Sequence, residues 1–133
     1  MEGRKRICIV DDDEIALNSL KELLLLSGFE VGASHNAQEV ISMVKMCKPH
    51  LILLDLRMPH LGGFEICEML NKDKDTRDIP IIITSALSDF ADIKKAYLAG
   101  VIGYFTKPYD FKKLLQEINK VITSKEGEGK NIL

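Results

Sequence analysis

The fold of this chain is decided by the stretch His50–Pro59, which reads HLILLDLRMP. Four consecutive aliphatic residues lead directly into Asp55, and a proline follows four residues later. A short apolar run that ends in turn residues is typical of a strand buried on both faces, as in a parallel sheet covered by helices. Ligands of such sheets bind outside the carboxyl ends of the strands, which is where we expect Asp55 to lie.

The same pattern of a strand followed by a helix occurs at four other places in the chain. The other predicted strands are Ile7–Val10, Phe29–Ser34, Pro80–Ala86 and Val101–Thr106. The segment after Phe29 alternates weakly and is predicted to be an edge strand. Strands that alternate with helices of this length favour right-handed parallel crossovers. The predicted fold is therefore α/β: a three-layer, doubly wound sheet of five parallel strands.

Residues with known terminal preferences mark the ends of the predicted helices. Glycine in the left-handed region commonly ends a helix, whereas Ser, Asp and Asn side chains cap its start. The expected caps are Gly28 and Gly100 at carboxyl ends, and Ser88 and Asp110 at amino ends. Asn36 is followed three residues later by Glu39, a spacing that resembles a capping box.

Apolar residues at helical spacing predict the faces that pack against the sheet. The expected inward residues are Ala16, Leu17, Leu20, Leu23, Leu24 and Leu26 in the first helix, and Phe90, Ile93 and Leu98 in the fourth. Before the third helix, Gly62–Gly63 is expected to allow unusual backbone angles. Residues 1–124 are predicted to form one domain, and residues 125–133 a frayed polar tail or the start of a linker.

Composition excludes several classes of function. The chain has 133 residues and a net charge of -2, which gives no electrostatic argument for binding nucleic acid or a membrane surface. No apolar run approaches the length of a membrane span or a signal-peptide core. Its three cysteines, an odd number, have no metal-ligand spacing and suggest reduced thiols. We therefore expect a cytoplasmic protein.

Polar residues follow the buried strands at one edge of the predicted sheet. They are Asp11 and Asp12 after the first strand, Asp55 after the third, Ser85 at the end of the fourth and Lys107 after the fifth. Three carboxylates at one edge repel one another, and a divalent cation would remove that repulsion. Oxygen ligands with spare water positions suit Mg²⁺. The acidic run is alternatively a charge cluster at a helix amino terminus, the interpretation we prefer for Asp13 and Glu14.

A lysine beside such a metal site suggests phosphoryl chemistry. A carboxylate held between a metal ion and an ammonium group stays ionised and can attack phosphorus. The same two cations neutralise the phosphoryl oxygens as charge develops. Ser85 can donate a hydrogen bond to one of those oxygens, and the small Ala86 leaves room for the group.

These residues occur together in a known family: the chain resembles a receiver domain of the two-component response regulators over residues 6–123. The resemblance is carried by Val10-Asp11-Asp12, Leu54-Asp55 with Met58-Pro59 and Gly63, Pro80 with Ser85-Ala86, and Gly103-Tyr104 with Lys107-Pro108. It implies a flavodoxin-like fold with strand order 2-1-3-4-5. Departures lie at Gly62, where many relatives are acidic, and at the variable positions Arg57 and Leu87.

The resemblance also implies a role for each matched residue. Asp55 corresponds to the phosphoacceptor, Lys107 to the phosphoryl-binding lysine, Ser85 to the switch hydroxyl and Tyr104 to the aromatic that moves with it. The implied Mg²⁺ ligands are Asp11 (often through water), Asp12, Asp55 and the backbone carbonyl of Arg57. The peptide bond between Lys107 and Pro108 is usually cis in the family.

The implied function is that of a signalling module rather than an enzyme with a separate substrate. It would accept a phosphoryl group from a histidine kinase or a histidine phosphotransfer protein. The expected signalling surface comprises the helix beginning near Ser88, the strand to Thr106 and the last helix. The output partner is not predicted, and the chain is expected to be a monomer or a phosphorylation-dependent dimer. It is either a complete single-domain regulator or part of a longer regulator or hybrid kinase.

Three other interpretations fit the residues less well. A haloacid-dehalogenase-type enzyme would use Asp11 and Asp13, but no glycine-threonine pair follows and Asp55 would have no role. A flavin-binding module needs a first loop that attracts phosphate, whereas four consecutive acids would repel it. A degenerate receiver that acts only by protein contact would not need the complete set of matched site residues.

Overall fold

The computed structural model describes residues 3–58 and 62–131, and its elements alternate between strand and helix. The strands are β1 (Arg6–Val10), β2 (Glu30–Ser34), β3 (Leu51–Leu54), β4 (Ile81–Ser85) and β5 (Gly103–Thr106). The helices are α1 (Glu14–Leu26), α2 (Val40–Cys47), α3 (Gly63–Lys72), α4 (Phe90–Leu98) and α5 (Phe111–Asn131). The predicted α/β fold is confirmed.

All strand pairs are parallel, and the sheet has the order β2-β1-β3-β4-β5. This is the order that the family resemblance implies. Val10 is the register partner of Leu54, and Ser85 is the partner of Thr106. The residues that follow β1 and β3 therefore leave the sheet side by side at its carboxyl edge.

Two apolar layers cover the sheet because successive side chains of a strand point to opposite faces. On one face, Ile7, Ile9, Leu51 and Leu53 pack with residues of α1 and α5. On the other, alternate residues such as Cys8, Ile52 and Leu54 pack with α2, α3 and α4. The aliphatic run Leu51–Leu54 is almost completely buried, as expected for a central strand covered on both sides.

The inward faces of α1 and α4 are narrower than predicted. Leu24 is fully buried but Leu26 is 86% exposed, and Ala96 is fully buried but Leu98 is 78% exposed. Residues two positions apart are rotated by about 200° around a helix, so both members of such a pair cannot face the sheet. Phe90, at the start of α4, and Leu23, in α1, are also exposed, so the broad faces predicted from apolar spacing are wrong.

Most of the predicted helix ends are found. Gly28 and Gly100 have positive φ of 98° and 101°, and Asp110 accepts from the backbone N–H of Lys112 at 2.9 Å. The prediction for Ser88 is wrong because the N-cap of α4 is the next residue, Asp89, whose side chain makes no cap hydrogen bond. The capping-box prediction for Asn36 is also wrong, because its side chain caps a short 3-10 turn and α2 begins only at Val40.

The glycine pair before α3 does not have the predicted unusual backbone angles. Gly62 is extended, with φ of -71°, and the glycines with positive φ in the described chain lie elsewhere. Residues 125–131 continue α5, since extending a formed helix costs far less than starting one. The domain limit at residue 124 stays a prediction. Over the described residues, no helix is both long and apolar enough to cross a membrane.

Candidate functional site

Three carboxylates meet where β1 and β3 leave the sheet. Asp11, Asp12 and Asp55 each offer an oxygen within 4.8 Å of the others. Asp11 and Asp55 are each only 5% exposed, whereas Asp12 is exposed. The backbone N–H of Asp55 donates to the carbonyl of Val10 at 2.9 Å, which fixes the two strand ends against each other. The predicted acidic site is therefore assembled by the sheet itself.

Backbone donors orient two of these carboxylates. Oδ1 of Asp11 accepts from the backbone N–H of Asp13 at 2.9 Å, and Oδ1 of Asp55 accepts from that of Arg57 at 3.0 Å. Each of these bonds uses Oδ1 and leaves Oδ2 of the same carboxylate available for another partner. Asp13 instead caps α1 by accepting from the N–H groups of Ile15 and Ala16. This matches the prediction that Asp13 belongs to the helix terminus rather than to the site.

Lys107, the residue directly after β5, reaches the acidic cluster. Its Nζ lies 2.5 Å from Oδ2 of Asp11 and 3.4 Å from Oδ2 of Asp55. The sequence predicts a cation beside Asp55, but it does not reveal that Asp11 makes the shorter contact. The peptide bond between Lys107 and Pro108 is cis, as the resemblance implies.

The pKa values of these groups follow from burial and charge. Burial raises the pKa of Asp55 above its usual value, and Asp11 adds to the rise, while the Arg57 N–H and Lys107 oppose it. Burial alone would lower the pKa of Lys107, but Asp11 and Asp55 together raise it above its usual value. The lysine therefore stays an ammonium group, whereas the Asp55 carboxylate is held in an environment that disfavours its charge.

The donor set fits a hard divalent cation. All three groups offer carboxylate oxygens, and the exposed Asp12 leaves one side of the cluster open to water. One ammonium group offsets at most one of the three negative charges. A small cation that keeps several waters, such as Mg²⁺, suits an incomplete shell of protein oxygens better than a cation that needs a closed cage.

The predicted hydroxyl and aromatic residues lie next to each other and are linked through one backbone segment. The buried Ser85 accepts at Oγ from the N–H of Leu87 at 3.2 Å, and the hydroxyl of Tyr104 donates to the carbonyl of Leu87 at 2.6 Å. Burial raises the pKa of Tyr104 above its usual value, and the neighbouring hydroxyl of Ser85 partly opposes that rise. The backbone of Leu87 thus joins the two side chains that the family resemblance pairs as the switch hydroxyl and the aromatic that moves with it.

Gly63 is the feature of the site whose role the sequence does not reveal. A Cβ at this position would lie 2.5 Å from Cα of Leu56 and 2.8 Å from the carbonyl oxygen of Asp55. The backbone N–H of Gly63 donates to the carbonyl of Leu56 at 3.1 Å. The glycine is therefore required by close approach of two backbones, and its negative-φ neighbour Gly62 gives no hint of that. Pro59, part of the predicted motif, lies outside the described residues.

Comparison with known proteins agrees with this geometry. The family model described as the response regulator receiver domain matches residues 7–119. A probable transcriptional regulator, ycf27, from Cyanophora paradoxa is 34% identical over 127 residues, which are 95% of this chain and 52% of that protein. The chain spans about half the length of the curated relatives that it matches.

Solved structures share the fold over nearly their whole length. A CheY-like receiver domain protein from Methanospirillum hungatei is 28% identical, with a TM-score of 0.88 over 95% of this chain and 99% of that one. The chemotaxis protein CheY4 of Vibrio cholerae has a TM-score of 0.84 over 90% and 99% of the two chains at 20% identity, which is evidence for the fold alone.

Proposed function

Because the chain belongs to the receiver-domain family of the two-component response regulators, we propose that it accepts a phosphoryl group on Asp55. The observation that carries this proposal is the position of Asp55, buried between two other carboxylates and the ammonium group of Lys107. A histidine kinase or a histidine phosphotransfer protein would supply the phosphoryl group. We place the protein in the cytoplasm, a compartment in which free cysteines such as its three stay reduced.

Mg²⁺ would supply the second cation that the transfer needs. Asp12 and Asp55, the backbone carbonyl of Arg57 and, through water, Asp11 would hold it. The ion neutralises charge on the phosphoryl oxygens when it is bound. Lys107 would stabilise the same oxygens from the other side, and the Ser85 hydroxyl would leave its bond with the Leu87 N–H to donate to one of them.

The test uses the full chain, acetyl phosphate and Mg²⁺. Intact mass measurement should show the addition of one phosphoryl group, and chelation of Mg²⁺ should prevent it. Peptide mapping after reductive trapping of the acyl phosphate should identify Asp55. A label on Ser85, or a label that forms equally well without Mg²⁺, would contradict the proposal.

Two neighbouring aspartates should differ in their effect on Mg²⁺ affinity. Asp12→Ala removes a ligand of the acidic cluster and should weaken Mg²⁺ binding by about tenfold or more, since Mg²⁺ is held by few protein carboxylates. Asp13→Ala removes the cap of α1 and should instead cost about 1 kcal/mol of stability. Titration followed by NMR or calorimetry measures the affinity, and thermal unfolding measures the cap. Equal losses of affinity would mean that the metal site is displaced by one residue.

The phosphorylated form should signal through α4, β5 and α5. Tyr104 lies on β5, and the Leu87 segment that it holds leads into α4. Transfer of the Ser85 hydroxyl to a phosphoryl oxygen would break its bond with Leu87 and shift this segment, a local charge change that biases a two-state element. Amide exchange should change in these three elements when beryllofluoride is added with Mg²⁺. Changes confined to α2 would exclude this surface.

The phosphorylated state should be long-lived for a receiver. Hydrolysis needs a water in line with the scissile bond, and Arg57 and Leu87 each lie two residues beyond a site residue. Arginine can pair with phosphoryl oxygens, and leucine cannot orient a water. Arg57→Asn combined with Leu87→Glu should speed loss of the phosphoryl group by at least about tenfold, roughly 1.4 kcal/mol in barrier. An unchanged decay rate would show that these positions do not limit hydrolysis.

A further inference from the structure

Three sulfur atoms converge on one point at the β2 edge of the sheet, away from the acidic site. The point is where a Cβ of Gly32 would lie, and the sulfur atoms of Cys47, Cys8 and Met43 are 3.1, 3.4 and 3.7 Å from it. We propose that Cys8, Met43 and Cys47 form a binding site for a soft monovalent cation, Cu(I). Thiolate and thioether ligands select Cu(I) over the hard cations that carboxylates prefer.

Secondary structure holds the three ligands in place. Cys8 and Gly32 are direct register partners on β1 and β2, and both belong to the face covered by α2. Met43 and Cys47 are four residues apart on α2 and therefore lie one above the other on the same helix face. Because Gly32 has no side chain, the space between the helix and the two strands is bordered by sulfur atoms.

The site has a route from solvent and a compensating charge. Cys47 is partly exposed and, with Gly32, lines a surface cavity of about 210 Å³ that also includes Arg6 and Glu30. The guanidinium group of Arg6 donates from Nε to the carbonyl of Cys47 at 2.9 Å. Cu(I) bound by two thiolates and a thioether carries one net negative charge, and the arginine lies beside the ligand that reaches the surface.

Binding balances without electron transfer. One Cu(I) ion displaces the protons of the Cys8 and Cys47 thiols to solvent, and the thioether of Met43 donates a lone pair without losing a proton. Burial, together with the neighbouring Cys47 thiol, raises the pKa of Cys8 to about 12, so without a metal ion its thiol stays protonated. A coordinating metal ion removes such a proton outright.

The test titrates the reduced full chain with Cu(I) under anaerobic conditions against a chromophoric Cu(I) chelator. Excess Mg²⁺ is present so that the acidic site does not contribute. The protein should withdraw one equivalent of Cu(I), and copper X-ray absorption should show only sulfur in the first coordination shell. Failure to withdraw copper, or a shell that contains nitrogen or oxygen ligands, would overturn the proposal.

Variants with matched controls test the ligands one at a time. Cys47→Ser and Met43→Leu each remove a proposed ligand that is not fully buried. Loss of a residue that only supports a metal ligand weakens metal binding by up to about a hundredfold, so loss of the ligand Cys47 should weaken Cu(I) binding by more than that. Cys67→Ala removes the third cysteine, on α3, and Met46→Leu removes an exposed methionine of α2, so both should bind as the wild type does. Equal losses in ligand and control variants would overturn the proposal.

Gly32→Ala tests the space itself while keeping every ligand. The new Cβ would lie where the sulfur atoms converge and should reduce Cu(I) affinity, with the number of titratable thiols unchanged. Gly103→Ala is the control, because its Cβ meets Ile82 at 3.4 Å in another strand pair without sulfur atoms. Wild-type affinity in Gly32→Ala would contradict the site. A Cys8–Cys47 disulfide as the only product, seen as a loss of two hydrogens in the intact mass, would also overturn it.

Discussion

Asp55→Asn is expected to abolish the phosphorylation of this protein by acetyl phosphate in the presence of Mg²⁺. The amide keeps the size of the side chain and an oxygen that can accept a hydrogen bond from the backbone N–H of Arg57. In the unchanged protein, Oδ1 of Asp55 accepts that bond at 3.0 Å. It removes the anionic oxygen that would attack phosphorus and that lies 3.4 Å from Nζ of Lys107. Intact mass measurement after incubation should show no added phosphoryl group.

The variant should remain folded, which makes its result interpretable. Asp55 shares its site with Asp11 and Asp12, so loss of one negative charge relieves repulsion among the carboxylates that remain. Asp75→Asn is the matched control, because Asp75 is exposed on the connection between α3 and β4. It should accept phosphoryl groups as the wild type does. A label retained in Asp55→Asn but lost in Asp11→Asn would favour the haloacid-dehalogenase-type chemistry instead.

The sequence predicts the acidic site well because strand ends decide it. An apolar run as short as Leu51–Leu54 is typical of a strand in a sheet covered on both faces, and parallel strands bring all their carboxyl ends to one edge. Asp11, Asp55 and Lys107 therefore meet although they are far apart in the chain. Which carboxylate the lysine approaches more closely depends on side-chain geometry, and no residue pattern contains that information.

Helix faces are predicted less well, because a list of apolar residues near helical spacing does not fix how wide a face the helix can bury. Leu26 and Leu98 are as apolar as Leu24, yet each lies about 200° around its helix from a buried residue and is turned away from the sheet. The connection Leu87 makes between Ser85 and Tyr104 is also invisible in the sequence, because it uses backbone atoms. Any residue at position 87 except proline could make both hydrogen bonds.

Gly63 is a similar case, since its glycine is required by contacts that form only in the folded chain. A Cβ 2.5 Å from Cα of Leu56 and 2.8 Å from the carbonyl oxygen of Asp55 is closer than real Cβ contacts allow. Both atoms belong to the backbone, so no side-chain rotation can relieve the overlap. Either α3 or the segment after β3 must move, and that segment carries the proposed phosphoacceptor.

Gly63→Ala is therefore expected to lower the free energy of unfolding by about 3 kcal/mol or more, at or above the upper end for overpacking in a well-packed interior. That is a large share of the roughly 5–15 kcal/mol that stabilises a typical domain.

Gly62→Ala is the control, because its Cβ would meet only Oε1 of Glu65, at 3.6 Å, so its stability should stay within about 1 kcal/mol of the wild type. Urea unfolding followed by circular dichroism measures both variants. If the two unfold at the same urea concentration, the close approach of α3 to the end of β3 does not constrain position 63. If Gly63→Ala is destabilised as expected and still folds, its Mg²⁺ affinity should fall as well, because the shifted backbone includes the carbonyl side of Asp55.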